Sequence, residues 1–152
     1  MELIRPAVEG TRSMLEACKA AGVRRVSITS SVASVVEMAN EDKPDVFNES
    51  HWTNPEKPNI GAYTKSKALA EKAAWKWIED QPEGDNKIEL TVINPGFVVG
   101  PTLVKAGFAS GKVISMFMNN KLPGGVPRLS FSTVDVRDVA QAHINCIKND
   151  EA

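Results

Sequence analysis

The chain has 152 residues, 42% of them hydrophobic, enough for one domain with a real core and too few for two. Its 18 basic and 19 acidic side chains are well mixed and sum to a net charge of -1, so the chain offers no field for nucleic acid or an anionic membrane. Cys18 and Cys146 lack C-x-x-C spacing and no long apolar run follows Met1-Glu2-Leu3, so neither export nor a membrane span is indicated and the cytoplasm is the expected location.

Taken in chain order, Pro6 opens a helix over about residues 6–20, in which Val8, Leu15, Ala17 and Cys18 recur at helical spacing until Gly22 stops it. Arg24 to Ser30 then reads as a short strand with a hydroxyl-lined end, Thr29-Ser30-Ser31. Residues 37–61 carry Pro44, Pro55 and Pro58 without periodicity and read as a long surface loop, a kind of segment that is usually functional. A second helix is expected from Ala62 to Asp80, with Ala70, Ala73, Ala74, Trp77 and Ile78 as its apolar stripe opposite Lys65, Lys72, Lys76 and Glu79. Gln81 to Asn86 ends it, and Ile88 to Asn94 is a second strand, stopped by the breaker pair Pro95-Gly96. A helix joining two successive strands is the mark of a parallel β-α-β unit, so the fold class is α/β. Beyond Thr102 the pattern weakens. It shows an amphipathic stretch at Val113 to Met118, a turn at Pro123-Gly124-Gly125, a short strand from Phe131 to Val136, and a last helix from Val139 to Ile147 capped by Asp138.

Tyr63 is the single tyrosine, and it opens Tyr63-Thr64-Lys65-Ser66-Lys67. Residues four apart share a helix face, so Tyr63 and Lys67 can address one substrate atom together. A phenol with a pKa of about 10 is a weak acid at neutral pH, and a neighbouring ammonium stabilises the phenolate. With 12 lysines among 152 residues, a Y-x-x-x-K arises by chance about 8% of the time, so the spacing alone is weak. Its position is the stronger signal. The helix lies between two strands, the first ending in the hydroxyl cluster, and ligands bind at such carboxyl edges in open α/β sheets. Hydroxyl runs are also ordinary at strand ends, where they bond the local backbone.

These blocks resemble a known family. The hydroxyl cluster, Tyr63 and Lys67 after a long loop, Asn94-Pro95-Gly96-Phe97-Val98-Val99-Gly100-Pro101 and Val134-Asp135-Val136-Arg137-Asp138-Val139-Ala140 are similar to the extended short-chain dehydrogenase/reductase superfamily, within the NAD-dependent epimerase/dehydratase group. The branch they resemble is that of dihydroflavonol reductase-like aldehyde and ketone reductases. Pro6 to Thr11, Ala70 to Trp75 and Pro127-Arg128-Leu129 fit as well. The resemblance implies a Rossmann-like, doubly wound parallel sheet, of which residues 1–152 are one partial domain. It implies NADP as cofactor, with NAD possible, and a small-molecule carbonyl substrate. It makes Ser31 the hydroxyl that holds the substrate oxygen, with Ser30 as the alternative, Tyr63 the general acid, and Lys67 its activator and a ligand of the nicotinamide ribose. Ser30 and the Pro95, Gly96, Phe97, Val98 turn are placed beside the nicotinamide, and homodimers built on helices are common in the family. Sugar-nucleotide epimerases or dehydratases fit less well, because Val32-Ala33 stands where dehydratases carry an acidic pair and Val35-Val36-Glu37 departs from the epimerases' V-Y-G.

The family's glycine-rich turn, which lets the backbone approach a pyrophosphate, has no counterpart in these residues. The chain resembles the middle of a reductase, which leaves open a second reading as a catalytically silent or helix-pairing fragment. Other features read as structure. Gly107 to Lys112 lacks a spacer and the magnesium-binding hydroxyl of a phosphate loop, with Val113 in its place. His51 and His143 lack a third ligand at metal spacing, Asn48-Glu49-Ser50 is an ordinary polar loop, Trp75 and Trp77 pack, and Arg137-Asp138 forms an ion pair or cap.

Overall fold

The computed structural model describes residues 3–36, 44–82, 84, 87–104, 109–122, 124–125, 128, 130 and 132–149. Helix α1 spans Ile4–Ala20, two residues earlier than Pro6 suggests. That start is sterically open, because Pro6 still falls in the first turn, where its missing N–H has no intrahelical acceptor to lose. Arg5 and Glu9 pair at 2.9 Å one turn apart. The helix closes where Gly22 adopts φ 71°, with Gly22 N–H donating to the Lys19 carbonyl at 3.1 Å and Val23 N–H to that of Cys18 at 2.9 Å. These two bonds form a Schellman cap, which needs a residue comfortable in the left-handed region.

Strand β1 (Arg25–Thr29) pairs in parallel with β2 (Glu89–Ile93), Ser27 opposite Thr91, and helix α2 (Ala62–Glu79) connects them. This is the β-α-β unit that the alternation of patterns implies. Between β1 and α2 lies a one-turn 3₁₀ helix, Val32–Ser34, that hydropathy does not announce. The buried face of α2 comprises Ser66, Ala68, Glu71, Ala73 and Ala74, so it is more polar than its alanine stripe suggests, while Trp77 and Ile78 stay half-buried. Ile28 and Val92 face the space beneath α1 and α2. Ser27 and Thr29, on the opposite face of β1, hold His143 of α4 (Val136–Lys148) at 2.7 Å and 2.8 Å. The β1–β2 sheet therefore carries helices on both faces, the doubly wound arrangement.

A second parallel pair forms from β3 (Phe97–Val99) and β4 (Thr133–Asp135), Val98 opposite Val134, with helix α3 (Ala109–Met118) between them. The sequence reads β3 only as the continuation of a breaker. Three residues after Pro95-Gly96 are too short for a periodicity signal, and pairing with a strand over thirty residues away makes them extended. Phe131, expected in β4, lies outside the described residues, as do Pro123 and residues 37–43. The cap of α4 is Asp135 rather than Asp138. Its Oδ1 accepts the Arg137 N–H at 2.8 Å, and the Arg137 guanidinium closes on the same carboxylate at 2.8 and 2.9 Å. That guanidinium holds Asp135 down at a pKa of about 2.

The apolar centre is small: Leu15, Ala68, Ala74 and Ile88 are almost fully enclosed, while every residue of β1 and β2 stays at least partly accessible. Among the described residues each sheet has two strands, so each strand has one unpaired edge. Met14, Val104 and Met118 are exposed.

Candidate active site

The carboxyl end of β1 and the first turns of α2 meet, as the motif order implies. Tyr63 is the second residue of α2 and Lys67 lies one turn further on. The Lys67 Nζ donates to the Thr29 carbonyl at 3.4 Å, at the strand's last residue, and its other N–H groups have no partner among the described residues. Tyr63 is 55% exposed and its hydroxyl likewise has no partner among the described residues.

The serine turn is held from several directions. Ser30 N–H donates to the Ile93 carbonyl at 2.8 Å and Val32 N–H to the Pro95 carbonyl at 3.0 Å, which carries the β1–β2 ladder past the strand ends. Both serines are buried. Ser30 Oγ lies 2.9 Å from Ser34 Oγ, and Ser31 Oγ accepts the Ala33 N–H at 3.2 Å as the cap of the 3₁₀ turn. The loop before α2 grips the same turn through the fully buried Thr53, whose N–H donates to the Ser34 carbonyl at 2.8 Å and whose hydroxyl donates to the Ala33 carbonyl at 2.9 Å. Thr53 thus fixes the long unpatterned loop against the serine turn.

A cavity of about 200 Å³ opens between α1, α2 and β1, and its polar lining is Thr11, Thr29, Ser30, Ser66, Lys67 and Glu71. Ser30 and Lys67 share this space, whereas Ser31 and Tyr63 are not among its lining residues. Pro95 stands beside the serine turn through its carbonyl. Phe97 and Val98 belong to β3, and Val98 lines a separate cavity of about 270 Å³ with Gly100, Leu103, Ser110 and Val136. Gly96 has a packing reason of its own: a Cβ there would land on the Ser132 carbonyl oxygen and hydroxyl.

Sequence reasoning missed two residues here. Asn94, just past β2, donates through Nδ2 to Glu71 Oε2 at 2.8 Å and to the Ser31 carbonyl at 3.1 Å. Glu71, only 7% exposed, has no ion-pair partner within 4.0 Å among the described residues. A carboxylate set among Ala70, Ala73 and Ala74 on a buried face is the signal that could have found it. Elsewhere His51 stacks edge-on to Phe47, Lys72 lies 5.3 Å over the Trp52 ring, and no three His, Cys, Asp or Glu among the described residues cluster to hold a metal. No helix among the described residues is long and apolar enough to cross a membrane.

Comparison with known proteins gives the arrangement its context. The chain is 39% identical to the NADPH-dependent methylglyoxal reductase GRE2 of Saccharomyces cerevisiae over 94% of its own length and 46% of that protein's. It is 38% identical to cinnamoyl-CoA reductase CAD2 of Medicago truncatula over 99% of its length and 45% of that protein's. The crystal structure of yeast methylglyoxal/isovaleraldehyde reductase Gre2 complexed with NADPH superimposes with a TM-score of 0.82 at 36% identity, covering 97% of this chain and 47% of that one. The chain therefore spans about half the length of the curated relatives it matches. The model of the NAD dependent epimerase/dehydratase family matches residues 1–152, and the chain belongs to that family.

Proposed function

We propose that these residues form the proton-transfer and nicotinamide-facing part of an NADPH-dependent reductase that converts an aldehyde or ketone to an alcohol. The observation that carries the reading is the placement of Tyr63 and Lys67 one turn apart on α2, with the Lys67 ammonium drawn to the end of β1 beside the buried Ser30-Ser31 pair. The names of the relatives support it, since they include reductases that use NADPH.

The residues present fit the nicotinamide ribose end of the cofactor. A lysine ammonium has three N–H donors, and Lys67 has committed one, at 3.4 Å, at an accessible strand end. When bound, the dinucleotide supplies a hydride to the carbonyl carbon. As negative charge grows on the substrate oxygen, the Ser31 hydroxyl and the Tyr63 phenol hydrogen-bond to it, and Tyr63 O–H gives up its proton to form the alcohol. Lys67 stabilises the phenolate that remains. To do this Ser31 turns its hydroxyl proton outward while its oxygen goes on accepting the Ala33 N–H, so the cap fixes the oxygen from which the hydroxyl donates.

The second reading, a catalytically silent or helix-pairing module, is favoured by two facts. The Tyr63 hydroxyl is exposed and has no partner among the described residues, and the 152 residues carry no glycine-rich pyrophosphate turn. Titrating the chain with NADPH while following nucleotide fluorescence, then adding methylglyoxal and watching nucleotide absorbance fall, separates the two. Micromolar binding with turnover supports the reductase, and absence of binding leaves the silent module.

A further inference from the structure

Residues 63, 67 and 71 make a stripe, Tyr63, Lys67 and Glu71, each one turn and about 6 Å along α2 from the last. The first two face the chemistry proposed above, and the third has no assigned work. An unpaired buried carboxylate is costly, and an apolar side chain of the same volume would pack beneath α2 without that cost. What Glu71 has in exchange is the Asn94 amide. Both N–H groups of Asn94 Nδ2 are used, one on the Glu71 carboxylate at 2.8 Å and one on the Ser31 carbonyl at 3.1 Å. Both partners are acceptors, so the amide can face them only through its NH₂, and its plane is determined by the pair. The Ser31 carbonyl also accepts the Ser34 N–H at 2.9 Å, and the Ser31 hydroxyl accepts the Ala33 N–H, so shifting that carbonyl shifts the hydroxyl with it.

We propose that Glu71 is a positioning residue: through Asn94 it ties the Ser31 turn to the helix that carries Tyr63 and Lys67, so that serine, phenol and ammonium keep one spacing. The inference rests on the reductase reading above. The tie is a hydrogen bond accepted by Glu71 rather than its charge, since no cation lies within 4.0 Å of it among the described residues. A glutamine, which keeps an acceptor oxygen, therefore replaces it, and a leucine does not.

The test compares Glu71→Gln, Glu71→Leu, Asn94→Ala and the double variant Glu71→Leu/Asn94→Ala in the full chain. In carbonyl reduction, Glu71→Leu and Asn94→Ala lower kcat by about 10- to 100-fold with the NADPH Kd changed less than about 3-fold, because the reacting groups are misplaced while cofactor binding remains. Glu71→Gln stays within about 3-fold of the parent. The double variant loses no more than Asn94→Ala alone, the non-additivity expected of one shared contact. Independently of activity, amide hydrogen exchange at Ala33 and Ser34 is faster by about 10-fold or more in Glu71→Leu and Asn94→Ala and unchanged in Glu71→Gln. Parent-like kcat and protection in Glu71→Leu would overturn the tie, and so would a Glu71→Gln variant as impaired as Glu71→Leu. Should Glu71→Leu fail to fold, Asn94→Ala and Glu71→Gln decide it. If the parent chain neither binds NADPH nor reduces a carbonyl, the reductase reading fails while the exchange rates still decide the tie.

Discussion

Replacing Gly96 by alanine separates two accounts of one residue. Family resemblance places Gly96 beside a nicotinamide, whereas the structure gives it a packing role where β3 meets the residue leading into β4. The Phe97 N–H donates to the Ser132 carbonyl at 2.7 Å, the first bond of that parallel pair, and a Cβ on Gly96 would lie 3.0 Å from the Ser132 carbonyl carbon and closer still to its oxygen. Rotating the Ser132 hydroxyl relieves one overlap and leaves the other, because the carbonyl is backbone. The strands must separate. Overpacking of this kind costs about 1–3 kcal/mol, and weakening the Phe97 bond adds about 1 kcal/mol, so Gly96→Ala should destabilise the chain by about 2–4 kcal/mol. Urea unfolding followed by circular dichroism measures this, with Val98→Ala as a control for losing side-chain volume in the same strand. A Gly96→Ala chain within about 0.5 kcal/mol of the parent, yet impaired in NADPH binding, would refute the packing argument and favour cofactor contact.

Tyr63→Phe should lower carbonyl reduction by about 100-fold or more while leaving stability and NADPH affinity unchanged, since the hydroxyl is exposed and has no partner among the described residues; turnover equal to the parent's would exclude Tyr63 as the acid. Asp135 has a depressed folded pKa, so its cap and its pairing with Arg137 are fully present above the unfolded value of about 4 and are lost as pH falls through about 2. A carboxyl titration by NMR with a midpoint at or above about 4 would contradict the geometry at the start of α4. The strand edges left without a neighbouring strand among the described residues and the exposed Met14, Val104 and Met118 lead us to expect concentration-dependent self-association of the isolated chain. Sedimentation velocity would read it, and a monodisperse monomer with a cooperative thermal transition would count against it.

Much of the frame is legible in the residues, because it is set by interactions within a few positions. The Gly22 cap, the helix from Ala62 and the strands either side of it follow from local propensity and periodicity, and a helix between two strands leaves a parallel pair as the short connection. Tyr63 and Lys67 share a face by helix geometry alone, so their partnership needs no fold. Of the expected stripe of α2, Ala73 and Ala74 are buried while Ala70, Trp77 and Ile78 are half-buried, and Ala68, outside that stripe, is enclosed as well.

Tertiary structure decided the contacts that bring distant residues together. Phe97–Val99 is extended because Thr133–Asp135 lies beside it, a pairing that three residues cannot encode. Asp135 displaced Asp138 as the cap because β4 runs directly into α4, which places the earlier aspartate at the first turn. His143 found Ser27 and Thr29, Thr53 found Ala33 and Ser34, and Asn94 joined Glu71 to Ser31, each between residues at least 19 positions apart. Such pairs leave no periodic trace, since a hydrogen bond depends on where two backbones arrive in space. The sequence by itself determined the elements and the chemistry that Tyr63 and Lys67 can perform. Only packing determined how the Ser31 turn is held against them.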